Sequence, residues 1–84
     1  MFLAKVYITY KTGVLDPQSS AIKGSLASSG FENVKDVQTG KFYELKVEAQ
    51  DKAHAQQVIE GLCERVLVNP VIEDFKIEIM EAKQ

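Results

Sequence analysis

The stretch from Asp51 to Pro70 limits what this chain can fold into more than any other. Within it Ala55, Val58, Ile59, Leu62, Cys63 and Val66 recur at the 3.6-residue period of a helix. A continuous stripe of this kind has to lie against an apolar surface. Asn69, able to take a left-handed C′ position, and Pro70, which forbids continuation, mark the stop. The surface to be covered comes from runs with a period of two. From Leu3 to Tyr10, Ala4, Val6, Ile8 and Tyr10 fall on one face and Lys5, Tyr7 and Thr9 on the other, which is the pattern of a half-buried strand. Phe75, Ile77 and Ile79 alternate in the same way with Lys76, Glu78 and Met80, ahead of a tail, Glu81 to Gln84, that should fray.

Between these elements lies Gly13-Val14-Leu15-Asp16-Pro17-Gln18. Asp16 is a good N-cap, and Pro17 has no N–H to leave unpaired at the first helical position, so a strand-to-helix corner is expected here. The helix carries Ala21, Ile22, Ser25, Leu26 and Ser29 as a narrow stripe able to approach a sheet closely, and Gly30 followed by Phe31 closes it near Ser29. Val34 to Gln38 and Phe42 to Ala49 then read as an antiparallel hairpin. Tyr43, Leu45, Val47 and Ala49 share one face of its second strand, and Gly40 in Thr39-Gly40-Lys41 supplies a positive φ to its turn. The element order is β-α-β-β-α-β. It predicts an α+β, ferredoxin-like two-layer sandwich, a four-stranded antiparallel sheet with both helices on one face, as one domain over residues 1–84.

The opposite face of that sheet mixes Lys5, Glu44, Lys46, Glu48, Lys76 and Glu78 with Tyr7, Phe42 and Met80. A monomer would leave this face wet and two edge strands unpaired, so a homo-oligomer through the sheet face or edge is expected, with Tyr7, Phe42 and Met80 as candidate contacts. Ten Lys plus Arg against twelve Asp plus Glu leave a formal charge of −2 with no basic stripe, which argues against a nucleic-acid surface. No apolar run approaches the ~20 residues of a membrane span, and Met1-Phe2-Leu3-Ala4-Lys5 lacks the layout of a secretion signal, so the expected address is the cytoplasm. Cys63, the one cysteine, can make no internal disulfide and fits a reducing compartment.

Little in the chain suggests catalysis. His54, the one histidine, precedes the apolar stripe in the first turn of its helix and reads as a solvated residue, while Cys63 lies within the stripe and reads as a small hydrophobe. They occupy different faces of one helix, which leaves neither a Cys–His pair nor a zinc set. The five glycines form no phosphate-binding loop. Glu73 and Asp74 make an acidic corner better suited to a solvated turn or a partner contact than to acid–base work. No catalytic, cofactor-binding or metal-binding residue is therefore expected. The loops, with Asp16, Pro17, Gln18, Gly40, Lys41, Asn69, Pro70, Glu73 and Asp74, are the candidate partner-contact surface.

Three stretches in register, Gly13-Val14-Leu15-Asp16-Pro17-Gln18, Val37-Gln38-Thr39-Gly40-Lys41-Phe42 and Cys63-Glu64 leading to Asn69-Pro70-Val71-Ile72-Glu73-Asp74-Phe75, resemble the PurS family. That family is the small subunit of the bacterial and archaeal formylglycinamide ribonucleotide amidotransferase, and the resemblance spans essentially the whole chain. The family usually has a glycine where this chain has Ser19 and an arginine where it has Gln38, so a contact made by that arginine does not carry over. The resemblance implies a subunit of phosphoribosylformylglycinamidine synthase, an ATP- and glutamine-consuming ligase of purine synthesis. Its PurL subunit performs the amidation, its PurQ subunit releases ammonia from glutamine, and ATP, magnesium and glutamine belong to those partners. The small subunit is implied to bridge them as a homodimer or homotetramer.

Three other readings compete. Ferredoxin-like domains also bind small regulatory molecules at homo-oligomer interfaces, and fold alone does not separate the two roles. A stand-alone enzyme lacks candidate groups. An RNA reader needs a basic surround, whereas Tyr7 and Phe42 sit among Glu44, Glu48 and Glu78.

Overall fold

A computed structural model describes residues 1–82 of the chain. The strand with the cleanest alternation lies in the middle. β1 (Phe2–Tyr10) is flanked by β2 (Gly40–Val47) and β3 (Glu73–Glu81), both antiparallel to it, in the order β2-β1-β3. The register sets Val6 between Tyr43 and Ile77, and Lys5 between Glu44 and Glu78. Phe2, Ala4, Val6 and Ile8 of β1 are buried on the side that faces α2 (Lys52–Leu62), which contributes Ala55 and Ile59 to the same core. On the other side Tyr7 meets Phe42 with ring centroids 5.0 Å apart, with Lys76 opposite Tyr7 on β3. The expected two faces of the sheet are therefore present.

Where the structure departs from the sequence reading, a specific interaction explains the difference. Among the described residues the sheet has three strands, not four. Val34 to Gln38 takes no strand conformation because its polar groups are already committed: Val34 N–H donates to the Phe31 carbonyl, Val37 N–H to the Asp36 carboxylate, and that carboxylate pairs with Lys23 of the first helix at 2.7 Å. Side chain-to-backbone bonds of this kind compete with a ladder. Gly40 is not a positive-φ turn residue. It is the first residue of β2, paired with Thr9, and among the described residues positive φ occurs at Gly13 and Gly30. Glycine is needed at 40 for a different reason, since a Cβ there would run into the Ile8 carbonyl oxygen.

The two helices are not both laid on the sheet. α2 packs against β3 and β1, whereas α1 (Pro17–Ser28) buries no residue. Its ends form as the sequence predicts. The Asp16 carboxylate accepts from Gln18 N–H and Ser19 N–H, and Phe31 N–H closes back on the Leu26 carbonyl past Gly30, a Schellman-type stop. What α1 lacks is an apolar face wide enough to hold it down, because its stripe is interrupted by Ser25 and Ser29 and flanked by Gly24. With no fourth strand beside β2, the sheet also offers less surface to cover. The molecule measures 51 × 30 × 14 Å, with a radius of gyration of 16.5 Å. A compact chain of this length would have a radius near ~12 Å.

The stop after α2 also differs. The helix loosens into a π-helical turn over Cys63–Leu67, in which Val68 N–H reaches the Cys63 carbonyl. A turn widened by one residue rotates the chain beyond it, so Val66 leaves the stripe and stands 70% exposed while Val68 takes its place in the core. Asn69 does not adopt a left-handed conformation; its side chain accepts from Val71 N–H and its carbonyl from Glu73 N–H. In the tail, Glu81 still pairs with Phe2 and Ala82 N–H donates to the Met1 carbonyl, so the strand runs further than expected; Lys83 and Gln84 lie outside the described residues.

Candidate functional site

The three loop stretches singled out in the sequence meet at one end of the sheet. β1 ends there, β2 and β3 begin there, and antiparallel pairing puts Thr9 between Gly40 and Asp74, and Tyr10 beside Glu73. Two carboxylates hold this corner. Asp16 Oδ1 caps α1, while Oδ2 accepts from both Thr39 N–H at 3.1 Å and Thr39 Oγ1 at 2.7 Å. Glu73, buried to 8% exposure, accepts from Asn69 N–H at 2.8 Å through Oε1, with Lys41 Nζ 3.7 Å from Oε2. Lys11 N–H donates to the Ile72 carbonyl and fastens the chain leaving β1 to the loop that enters β3. A small cleft of about 50 Å³ remains among Ile8, Gln18, Thr39, Gly40, Lys41 and Glu73.

The electrostatics of the corner suit anchoring. Burial alone would raise the Asp16 carboxyl, but the Thr39 hydroxyl, the Ser19 and Thr39 N–H groups and the Ser19 side chain together hold it below its ordinary value. An ionised carboxylate whose lone pairs are taken by protein donors is an acceptor and holds no proton to give. Glu73 is likewise committed to a backbone N–H and a lysine, so the acidic corner expected to be solvated is only half so: Glu73 is buried and Asp74 exposed.

The remaining candidates are dispersed. Pro17, Gln18, Asn69 and Pro70 are exposed around the corner, and Tyr7, Phe42 and Met80 lie on the open sheet face, 37%, 49% and 37% exposed. His54 is exposed, and its Nδ1 accepts from Gln50 N–H while Asp51 caps the same helix through His54 N–H. Cys63 is fully buried. Burial, then the nearby Glu64 and Glu60 carboxylates, pushes its thiol above the ordinary value, away from the reactive thiolate. Among the described residues no three His, Cys, Asp or Glu side chains come together as a metal site. No described helix is long and apolar enough to cross a membrane.

The sequence reading missed the partnership of Asp16 with Thr39, twenty-three residues apart, because no local spacing signals it. It also passed over Leu15 and Val71, 76% and 78% exposed in the two loops beside the corner. Large apolar side chains at loop positions that the core does not require were the signal that could have found them.

Comparison with known proteins accounts for nearly all of the chain. Residues 3–81 match the family model described as PurS: Phosphoribosylformylglycinamidine (FGAM) synthase. The phosphoribosylformylglycinamidine synthase subunit PurS of Bacillus subtilis is 41% identical over 81 residues, covering 96% of this chain and 95% of that protein. The subunit of the same description from Methanocaldococcus jannaschii is 38% identical over 79 residues, covering 94% and 95%. Among solved structures, the M. jannaschii PurS crystal structure superposes with a TM-score of 0.91 at 36% identity, covering 99% of this chain and all of that one. A chain of the structure of PurLQS from Thermotoga maritima superposes with a TM-score of 0.85 at 30% identity, covering 95% and 99%.

Proposed function

This chain belongs to the PurS family, and on that premise we propose that it works as a non-catalytic adaptor of phosphoribosylformylglycinamidine synthase, bridging the PurQ glutaminase and the PurL synthetase so that ammonia passes between them. Membership makes the chain a subunit of a ligase of purine biosynthesis. The adaptor reading goes further, and one observation carries it: two carboxylates of the corner, Asp16 and Glu73, are taken up by donors of the protein itself. Asp16 and Glu73 stiffen three loops, and the exposed residues those loops present, Leu15, Pro17, Gln18, Pro70 and Val71, suit protein contact. Binding ATP, magnesium and glutamine then falls to the partners, in the cytoplasm. Holding two active sites in line raises the rate by positioning and keeps ammonia from water.

Self-association belongs to the same proposal. The surface of 6264 Å² is about 1,200 Å² more than a compact monomer of this mass would expose, and a standard interface hides about 800 Å² per partner. Exposed Ile22 and Phe31 with half-buried Leu26, on α1 and just past its end, and Tyr43, Leu45 and Val47, which stay half-buried at the margin of the core on β2 while α2 packs on β1 and β3, suit a second copy of this chain. This shifts weight from the sheet face, Tyr7, Phe42 and Met80, toward α1.

Reconstitution tests the adaptor role. PurL and PurQ with this chain should turn over glutamine far faster than without it, while ammonium salts in place of glutamine should remove the difference. Equal glutamine-dependent rates with and without the chain would refute the proposal.

A further inference from the structure

We propose that Asp16 is a latch as well as a helix cap: by gripping Thr39 it closes the neck of the excursion formed by residues 17–38 and sets the angle at which that arm stands off the sheet. This goes beyond the adaptor reading and does not depend on which partners the arm meets.

Packing cannot set the angle. Between residues 17 and 38 no residue is buried, and only Ser19, Leu26 and Val37 are even half-buried. The arm is nonetheless braced within itself. The Schellman-type closure joins Phe31 to Leu26, and the Lys23–Asp36 pair ties the returning chain to α1. A unit that is stiff inside and loosely held outside turns about the point where the chain leaves and re-enters.

That point is occupied by one side chain. The two oxygens of Asp16 divide the work, Oδ1 taking the N–H groups of Gln18 and Ser19 on the arm, and Oδ2 taking the N–H and hydroxyl of Thr39 where the arm rejoins β2. Among the described residues no other side-chain hydrogen bond or ion pair crosses from residues 12–38 to the rest of the chain. Thr39 is in turn covalently next to Gly40, where an added Cβ would meet the Ile8 carbonyl oxygen. The latch therefore anchors beside the first residue of β2, which pairs with Thr9 of β1. A pre-set arm loses less conformational freedom on docking than a swinging one.

The chemistry separates latch from cap. Asp16→Asn keeps an oxygen for Gln18 and Ser19, and asparagine caps helices as well as aspartate does, but it turns an NH₂ toward the Thr39 N–H, donor against donor. Thr39→Val keeps the β-branched shape and removes the hydroxyl, and Thr39→Ser restores the hydroxyl. Amide exchange and NMR relaxation on the whole chain read the result. In Asp16→Asn the Thr39 amide should exchange roughly tenfold faster, as for loss of a charge-assisted hydrogen bond, with the Gln18 and Ser19 amides little changed. In both Asp16→Asn and Thr39→Val the backbone order parameters over residues 17–38 should fall together toward about 0.6 while those of β1 hold, and Thr39→Ser should keep the native values. Native order over the arm in both variants, or an arm loosened equally by Thr39→Ser and Thr39→Val, would overturn the latch.

Discussion

Cutting isoleucine to alanine on each helix should have very different consequences. Ile59 of α2 is 2% exposed, in contact with the β1 core, whereas Ile22 of α1 is 42% exposed. Ile59→Ala removes three carbons, worth about 2.4 kcal/mol at ~0.8 kcal/mol each, and the unfilled space brings the loss to about 3–4 kcal/mol. A domain of this length has about 4–13 kcal/mol in all, so this one change removes between a quarter and nearly all of its stability. Ile22→Ala forfeits only the covered part of its side chain and opens no cavity, about 1 kcal/mol. With a urea slope near ~1 kcal/mol per molar, the midpoint should fall by about 3 M for Ile59→Ala and about 1 M for Ile22→Ala. Far-UV circular dichroism in urea measures both, at a concentration where sedimentation finds the monomer. Raising the protein concentration should enlarge the Ile22→Ala deficit if a second copy covers α1. Equal midpoint shifts in the monomer would mean that α1 packs on its own sheet, and would refute the two-helix asymmetry from which the arm, the latch and the self-association argument are built.

The corner and the arm lead to two further outcomes. Gly40→Ala should destabilise, the opposite of a Gly-to-Ala change in an open helix, because its Cβ is directed at the Ile8 carbonyl; a thermal melt should fall by several degrees, whereas Gly24→Ala, in open space on α1, should gain about 0.5–1 kcal/mol. Asp16 and Asp36 both sit below their ordinary value of 3.8, the first despite burial and through hydrogen bonds from Thr39 and Ser19, the second through Lys23 and Val37 N–H. A carboxyl lowered in the folded state adds stability that is present above its unfolded pKa and lost as pH falls through the folded one, so the loss should appear below pH 3.8. High salt should weaken the Asp36 share, which rests on a charged partner, and spare the Asp16 share, which rests on neutral donors. An Asp36→Asn variant with an unchanged acid-unfolding curve would contradict the first statement, and equal salt sensitivity the second.

Much of the corner was legible because its chemistry is local. Asp16 and Pro17 start a helix whatever surrounds them, Gly30 ends it, and the alternation through β1 and β3 specifies which side chains enter the core. Each of these depends on dihedral preference, capping or period over a few residues, and such signals survive in the linear chain. The three stretches that identify the family lie at the ends of those elements and were readable for the same reason.

Long-range competition decided the rest. Val34 to Gln38 has the apolar content of a strand, but Lys23, well upstream in the chain, draws Asp36 to α1, and the Asp16 carboxylate takes the Thr39 N–H. The chain alone cannot say that a fourth strand loses to those bonds, because the outcome depends on groups far apart in sequence that only the fold brings together. The same holds for Gly40, whose value lies in its distance from Ile8 and not in its own φ, and for Val66, carried out of the stripe by a widened turn. Local propensity made the parts of this protein; which of them lie on one another was settled by contacts between residues far apart in sequence, where hydrogen-bond partners and buried area compete in three dimensions.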